Sequence, residues 1–268
     1  MHKKYFLILI SLCFIHSCGQ NISPVDSGLE NQIFHFGNGA EPQGLDPHIV
    51  TGVPEHHLLI SMCEGLTSSN PKGGASLPGA AESWEISNDG KKYTFFLNKN
   101  AKWSNGDPVT ASDFVWSWKR ILTPSLGSQY PDMLYYVTGA YEFHNEINNN
   151  FDNVGVKAID DFTLEVNLKN PTPFFLGLLS HYSTWPVHKE TVLKYGDIDD
   201  RRGLWTRPGS FVCNGAMNLK SWELNKKIVV EKNPLYWDAE SVKLNEYIFI
   251  LFLMSIPKIE CLVLDSCT

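Results

Sequence analysis

The chain is poor in positive charge. It sets 22 Lys and Arg against 29 Asp and Glu, a formal net charge of −7. That balance argues against a nucleic-acid surface, which needs clustered basic residues. Charged residues are only 19% of the chain, so long disordered charged tails are not expected. Cysteine is scarce where a disulfide framework would need it. Of six, Cys13 and Cys18 lie near the N-terminus and Cys261 and Cys267 near the C-terminus, leaving Cys63 and Cys213 for the body. Those two can pair in an oxidising compartment or stand as separate buried thiols, and the sequence leaves both open. Signatures of chemistry are missing as well. There is no Gly-x-Ser-x-Gly elbow, no His-Glu-x-x-His and no Cys/His set at zinc spacing, so no catalytic residue, metal ligand or cofactor is assigned. The apolar run Tyr247–Met254 suits one buried strand and is too short to span a membrane.

What is present builds a globular body. Hydrophobic residues make up 43% of the 268 and aromatics 12%, enough core for one large or two ordinary domains. The N-terminus reads as a targeting segment: His2-Lys3-Lys4 is its basic start and Tyr5–Ile15 its apolar core. Ile15-His16-Ser17-Cys18-Gly19 resembles a bacterial lipobox, which would make 1–17 a signal peptide and Cys18 the lipidated first residue. The polar stretch 19–30 suits a tether.

The most informative stretch runs from Ala80 to Pro124. Ser87-Asn88-Asp89-Gly90 is a tight-turn cluster, followed by Tyr93, Phe95 and Leu97 on one face of a strand. Asn105-Gly106 marks a second turn. Thr110 stands three residues before Asp113, the spacing of a capping box. Behind it Phe114, Val115, Trp118, Ile121 and Leu122 form a helical stripe that Thr123-Pro124 ends.

Elsewhere, Pro54–Leu66 predicts a short helix. His56-His57 are poor joint metal ligands because adjacent helical side chains diverge. Met133, Leu134, Val137, Tyr141 and Phe143 predict a second helix with those residues inward, and Tyr130-Pro131 a loop before it. Residues 154–159 and 163–168 alternate as a hairpin about Asp160-Asp161, a solvated turn pair rather than an acid–base couple.

AESW (81–84), DG…YTF.L (89–97), AKWSNGDPVTA.DFV.SW.R (101–120) and NGA..L..W..N..I.VEKNP.YWD (214–238) together resemble the family 5 solute-binding proteins, the oligopeptide-binding lipoproteins of ABC importers. The resemblance implies an α/β, periplasmic-binding-protein-like fold of type II, peptide-binding cluster, with mixed sheets and helices and only the N-terminal half present. It implies that 18–63 and 189–245 belong to one lobe and 64–188 to an inserted lobe. It further implies a peptide receptor outside the cytoplasm, held at the membrane by lipid on Cys18, with oligopeptides and ABC permease subunits as partners and no nucleic acid. In the family the bound peptide is held largely as an added β-strand. By position that role falls to Thr51, Gly52 and Val53, with Tyr130 and His181 as further ligand-side candidates. Thr51 departs from the acidic residue often found there. After Asn245 the resemblance stops, so 246–268 is expected to be a divergent tail, the product of a truncation or frameshift that impairs transport. The remnant could otherwise serve as a non-transporting surface lipoprotein. Loss of late strands is expected to leave a sheet edge unpaired.

Overall fold

The computed structural model describes residues 24–251. Cys18 and the tail beyond Leu251 lie outside them. Two four-stranded sheets organise the chain. In the first, β1 (Ile33–Gly37) pairs in parallel with β10 (Glu246–Ile250). β10 pairs antiparallel with β9 (Lys227–Lys232), which pairs antiparallel with β8 (Met217–Glu223). A parallel pair cannot be closed by a hairpin, and here the return takes the whole chain between Gly37 and Glu246. The expected divergent tail therefore begins, structurally, with a strand at the interior of this sheet. Phe249 on it is fully buried, and Tyr247 stacks on Phe249 at 4.1 Å.

The second sheet is antiparallel throughout, in the order β4 (Ala81–Ile86), β5 (Lys92–Leu97), β7 (Thr163–Asn167), β6 (Val156–Asp160). One face of β5 and β7 buries Tyr93, Phe95, Leu97, Leu164 and Val166, the alternation that the sequence carries. Against them lies α3 (Ala111–Leu122), with Phe114, Trp118, Ile121 and Leu122 fully or almost fully buried. Its start is held by Asp113, whose carboxylate accepts the Thr110 N–H at 2.8 Å and the Trp103 indole N–H at 3.3 Å. Helix α1 (Pro24–Asn31) packs on β1, α2 (Val53–Met62) places Leu58, Leu59 and Met62 in the first sheet's core, and a short ladder pairs β2 (Thr67–Ser68) with β3 (Leu77–Pro78).

The expected helix over 133–143 is a correction. A 3-10 turn covers Pro131–Leu134, Val137 bridges to Leu168, and α4 is only Ala140–His144. The break has a physical cause. Gly139 takes φ +75, where a Cβ would stand 2.4 Å from the Asn153 carbonyl oxygen, so the chain turns before α4. Tyr141 consequently faces solvent, while Leu134 and Val137 are buried as expected. The expected helix 54–66 stops at Met62, and Cys63 is already extended.

One buried ion pair ties the two cores. Arg120 on α3 forks onto Asp46, Nη1 to Oδ1 at 2.9 Å and Nη2 to Oδ2 at 2.6 Å. His48 completes the group: its Nδ1 accepts from Arg120 at 3.0 Å and its Nε2–H donates to the Trp185 carbonyl at 3.0 Å. Burial, then the Arg120 charge, hold the His48 pKa down to about 4, so the ring is neutral and these donor roles are fixed.

Candidate functional site

The segment ahead of α2 is extended and open. Gly52 is the helix N-cap at φ −88, ψ 157, Thr51 is exposed, and Val53 is 65% exposed. The Gly52 carbonyl accepts from the His56 N–H, and the Val50 carbonyl accepts from the Tyr182 hydroxyl at 3.2 Å. Among the described residues nothing pairs with the Thr51 N–H, the Thr51 C=O or the Gly52 N–H. Unpaired extended backbone at a surface is a template for another strand. Glycine at 52 has a local reason: a Cβ there would stand 2.0 Å from an oxygen of the buried Glu55 carboxylate, which accepts the Gln43 N–H at 2.6 Å.

Tyr182 links this segment to the other expected residues. Its ring lies 4.2 Å from His181, 5.7 Å from His56 and 6.4 Å from Tyr130, and Tyr130 meets His181 edge-on at 5.2 Å. Tyr130 and His181, 51 residues apart in sequence, are thus in one aromatic group, and Thr51–Val53 joins it through Tyr182 and His56. His181 is fixed by its own turn, Nδ1 to Ser183 Oγ at 2.8 Å. Burial lowers the pKa of both His56 and His181, and each is lowered further by a neighbouring histidine.

Behind His56 a cavity of about 330 Å³ opens, lined among others by Ile60, Glu64, Ser69, Trp185 and Tyr236. Glu64 is its acid. Its carboxylate accepts from the Trp237 indole N–H at 2.7 Å and the Tyr236 hydroxyl at 2.9 Å, yet burial raises its pKa to about 7. Sequence reasoning missed Glu64, Tyr182 and the packing role of His56. Only the placement of an acid at the end of an apolar helix, and of Tyr182 beside His181, hinted at them. Among the described residues no group of three or more His, Cys, Asp or Glu is arranged to hold a metal ion, and no helix is long and apolar enough to cross a membrane.

The profile of the bacterial extracellular solute-binding proteins, family 5 (Middle), matches residues 77–253. The chain belongs to this family. It is 44% identical over 223 residues to the periplasmic oligopeptide-binding protein OppA of Escherichia coli, covering 82% of this chain and 39% of that protein. The crystal structure of Haemophilus influenzae OppA in complex with RPPGFSPFR superposes at a TM-score of 0.77 and 40% identity, over 83% of this chain and 42% of that one. A periplasmic oligopeptide-binding protein of Borrelia burgdorferi gives 0.80 at 35% identity, over 87% and 46%. These similarities establish the periplasmic-binding-protein fold. The family is one of binding proteins rather than enzymes, and the chain spans less than half the length of these relatives. The match also runs past Asn245 into β10.

Proposed function

We propose that this chain carries one wall of an oligopeptide site in the receptor component of an ABC importer. The observation that supports it is the run of free backbone groups at Thr51 and Gly52 beside the Tyr130–His181–Tyr182 group. A peptide laid along 51–53 as an added strand would gain main-chain hydrogen bonds there. The rings would pack on its backbone, and the cavity at Glu64 would leave room for a side chain. The similarity to oligopeptide-binding proteins points to the same ligand class. The receptor would stand outside the cytoplasm, tethered by lipid on Cys18, and pass peptides to permease subunits. Residues 18–63 and 189–245 would form one lobe and 64–188 the other, consistent with the two sheets.

Calorimetry of the full chain against a mixed tri- to pentapeptide library tests this reading. Saturable heat is expected, with Tyr130→Ala weakening binding by about 5–30-fold, as loss of a buried aromatic contact does. A flat response from folded protein would instead favour a surface lipoprotein without transport.

A further inference from the structure

The thiols of Cys63 and Cys213, 150 residues apart in sequence, meet at 2.9 Å in the core. Neither sulfur has another hydrogen-bond partner among the described residues. The backbone around them is locked in register. Gly215 N–H donates to the Met62 carbonyl at 2.8 Å, and Glu64 N–H donates to Asn214 Oδ1 at 3.1 Å. The Asn214 side-chain amide returns a bond to the Glu64 carbonyl at 3.0 Å. On its other side Cys213 is fixed by Ser104, whose N–H donates to the Cys213 carbonyl at 2.7 Å. Two chain segments are therefore held side by side with one thiol on each facing the other. A disulfide needs a sulfur–sulfur separation near 2.05 Å, so an approach of about 0.9 Å closes the gap, within the reach of side-chain rotation.

We propose that Cys63 and Cys213 are the two halves of a disulfide that joins the end of α2 to the segment entering β8. Cys63 lines the cavity of about 330 Å³ described above, while Cys213 does not, so Cys63 is the sulfur a reagent reaches first. The chemistry balances with an external disulfide as oxidant. The Cys63 thiolate attacks one sulfur of the donor, forming a mixed disulfide and releasing one donor thiolate. Cys213 then loses its proton, attacks the Cys63 sulfur and expels the second donor thiolate. The two cysteines are oxidised, the donor is reduced to two thiols, and both protons end on them. Burial and the adjacent Cys63 thiol push the Cys213 pKa well up, so the second step depends on the enforced proximity rather than on a standing thiolate. The bond would staple the two segments whether or not the cleft takes a peptide.

The test is a non-reducing peptide map of the full chain. The protein is purified reduced, exposed folded to oxidised glutathione, quenched in acid and alkylated before digestion. The expected product is the Cys63 peptide linked to the Cys213 peptide, lost on adding reductant. Reductant should also lower the melting midpoint of the oxidised protein by about 5–15 °C. Recovery of the two peptides separately alkylated, each capped by glutathione, or joined to Cys13, Cys18, Cys261 or Cys267, overturns the proposal.

Discussion

Arg120 is fully buried, and among the described residues its only ion-pair partner is Asp46. Replacing it with methionine keeps the packing volume against Trp205 and leaves the Asp46 carboxylate buried without its partner. Breaking such a pair costs about 3–5 kcal/mol, so urea unfolding of Arg120→Met should shift by that order. Glu64 and His48 give a second residue-scale prediction. Glu64 has its folded pKa raised from 4.5 to about 7, so its contribution is full below pH 4.5 and is lost as pH rises to 7. His48 is lowered from 6.5 to about 4, so its contribution is full above pH 6.5 and is lost as pH falls to 4. Each spans about 3 kcal/mol, and between pH 4.5 and 6.5 the two slopes oppose. The unmodified chain should therefore show a shallow profile there. Glu64→Gln should make unfolding free energy rise with pH by about 1.4 kcal/mol per unit more. Parallel profiles for the two proteins would refute this balance.

At the scale of elements, the strands and α3 were legible because period and turn chemistry agreed. β5, β7 and α3 each bury the faces their alternation or stripe marks, and Asp113 holds the start of α3. The break at Gly139 was not legible. The apolar spacing from Met133 to Phe143 is helical, and nothing in it marks the close approach of the Asn153 carbonyl that leaves no room for a Cβ at the left-handed Gly139. Gly139→Ala should thus cost about 1–3 kcal/mol, seen as a lower melting midpoint, while the exposed left-handed Gly106, with no atom near its Cβ position, should tolerate alanine better. The site was legible in part for the same reason. Thr51–Val53, Tyr130 and His181 were reached through resemblance and local position. Tyr182 and Glu64 emerge only when segments far apart in sequence, 50–64, 182–185 and 236–237, fold together.

At the scale of the whole molecule, two sheets with separate cores are joined by the Arg120–Asp46–His48 group and by the cavity wall around Glu64. Among the described residues β1 is an outer strand, and Phe34 on it is 48% exposed. Sedimentation should show concentration-dependent association that Phe34→Lys weakens, since charge on an edge strand blocks added pairing; a monomer at every concentration would contradict that. A peptide docked as an added strand on this segment would pair with the Thr51 N–H and C=O, which face one side of an extended chain. Amide hydrogen exchange of the full chain, with and without saturating peptide, measures that pairing most directly. The Thr51 amide, free in the unliganded protein, should slow by at least about tenfold when peptide binds. Peptide binding that leaves the Thr51 amide exchanging at its free rate would contradict docking as a strand.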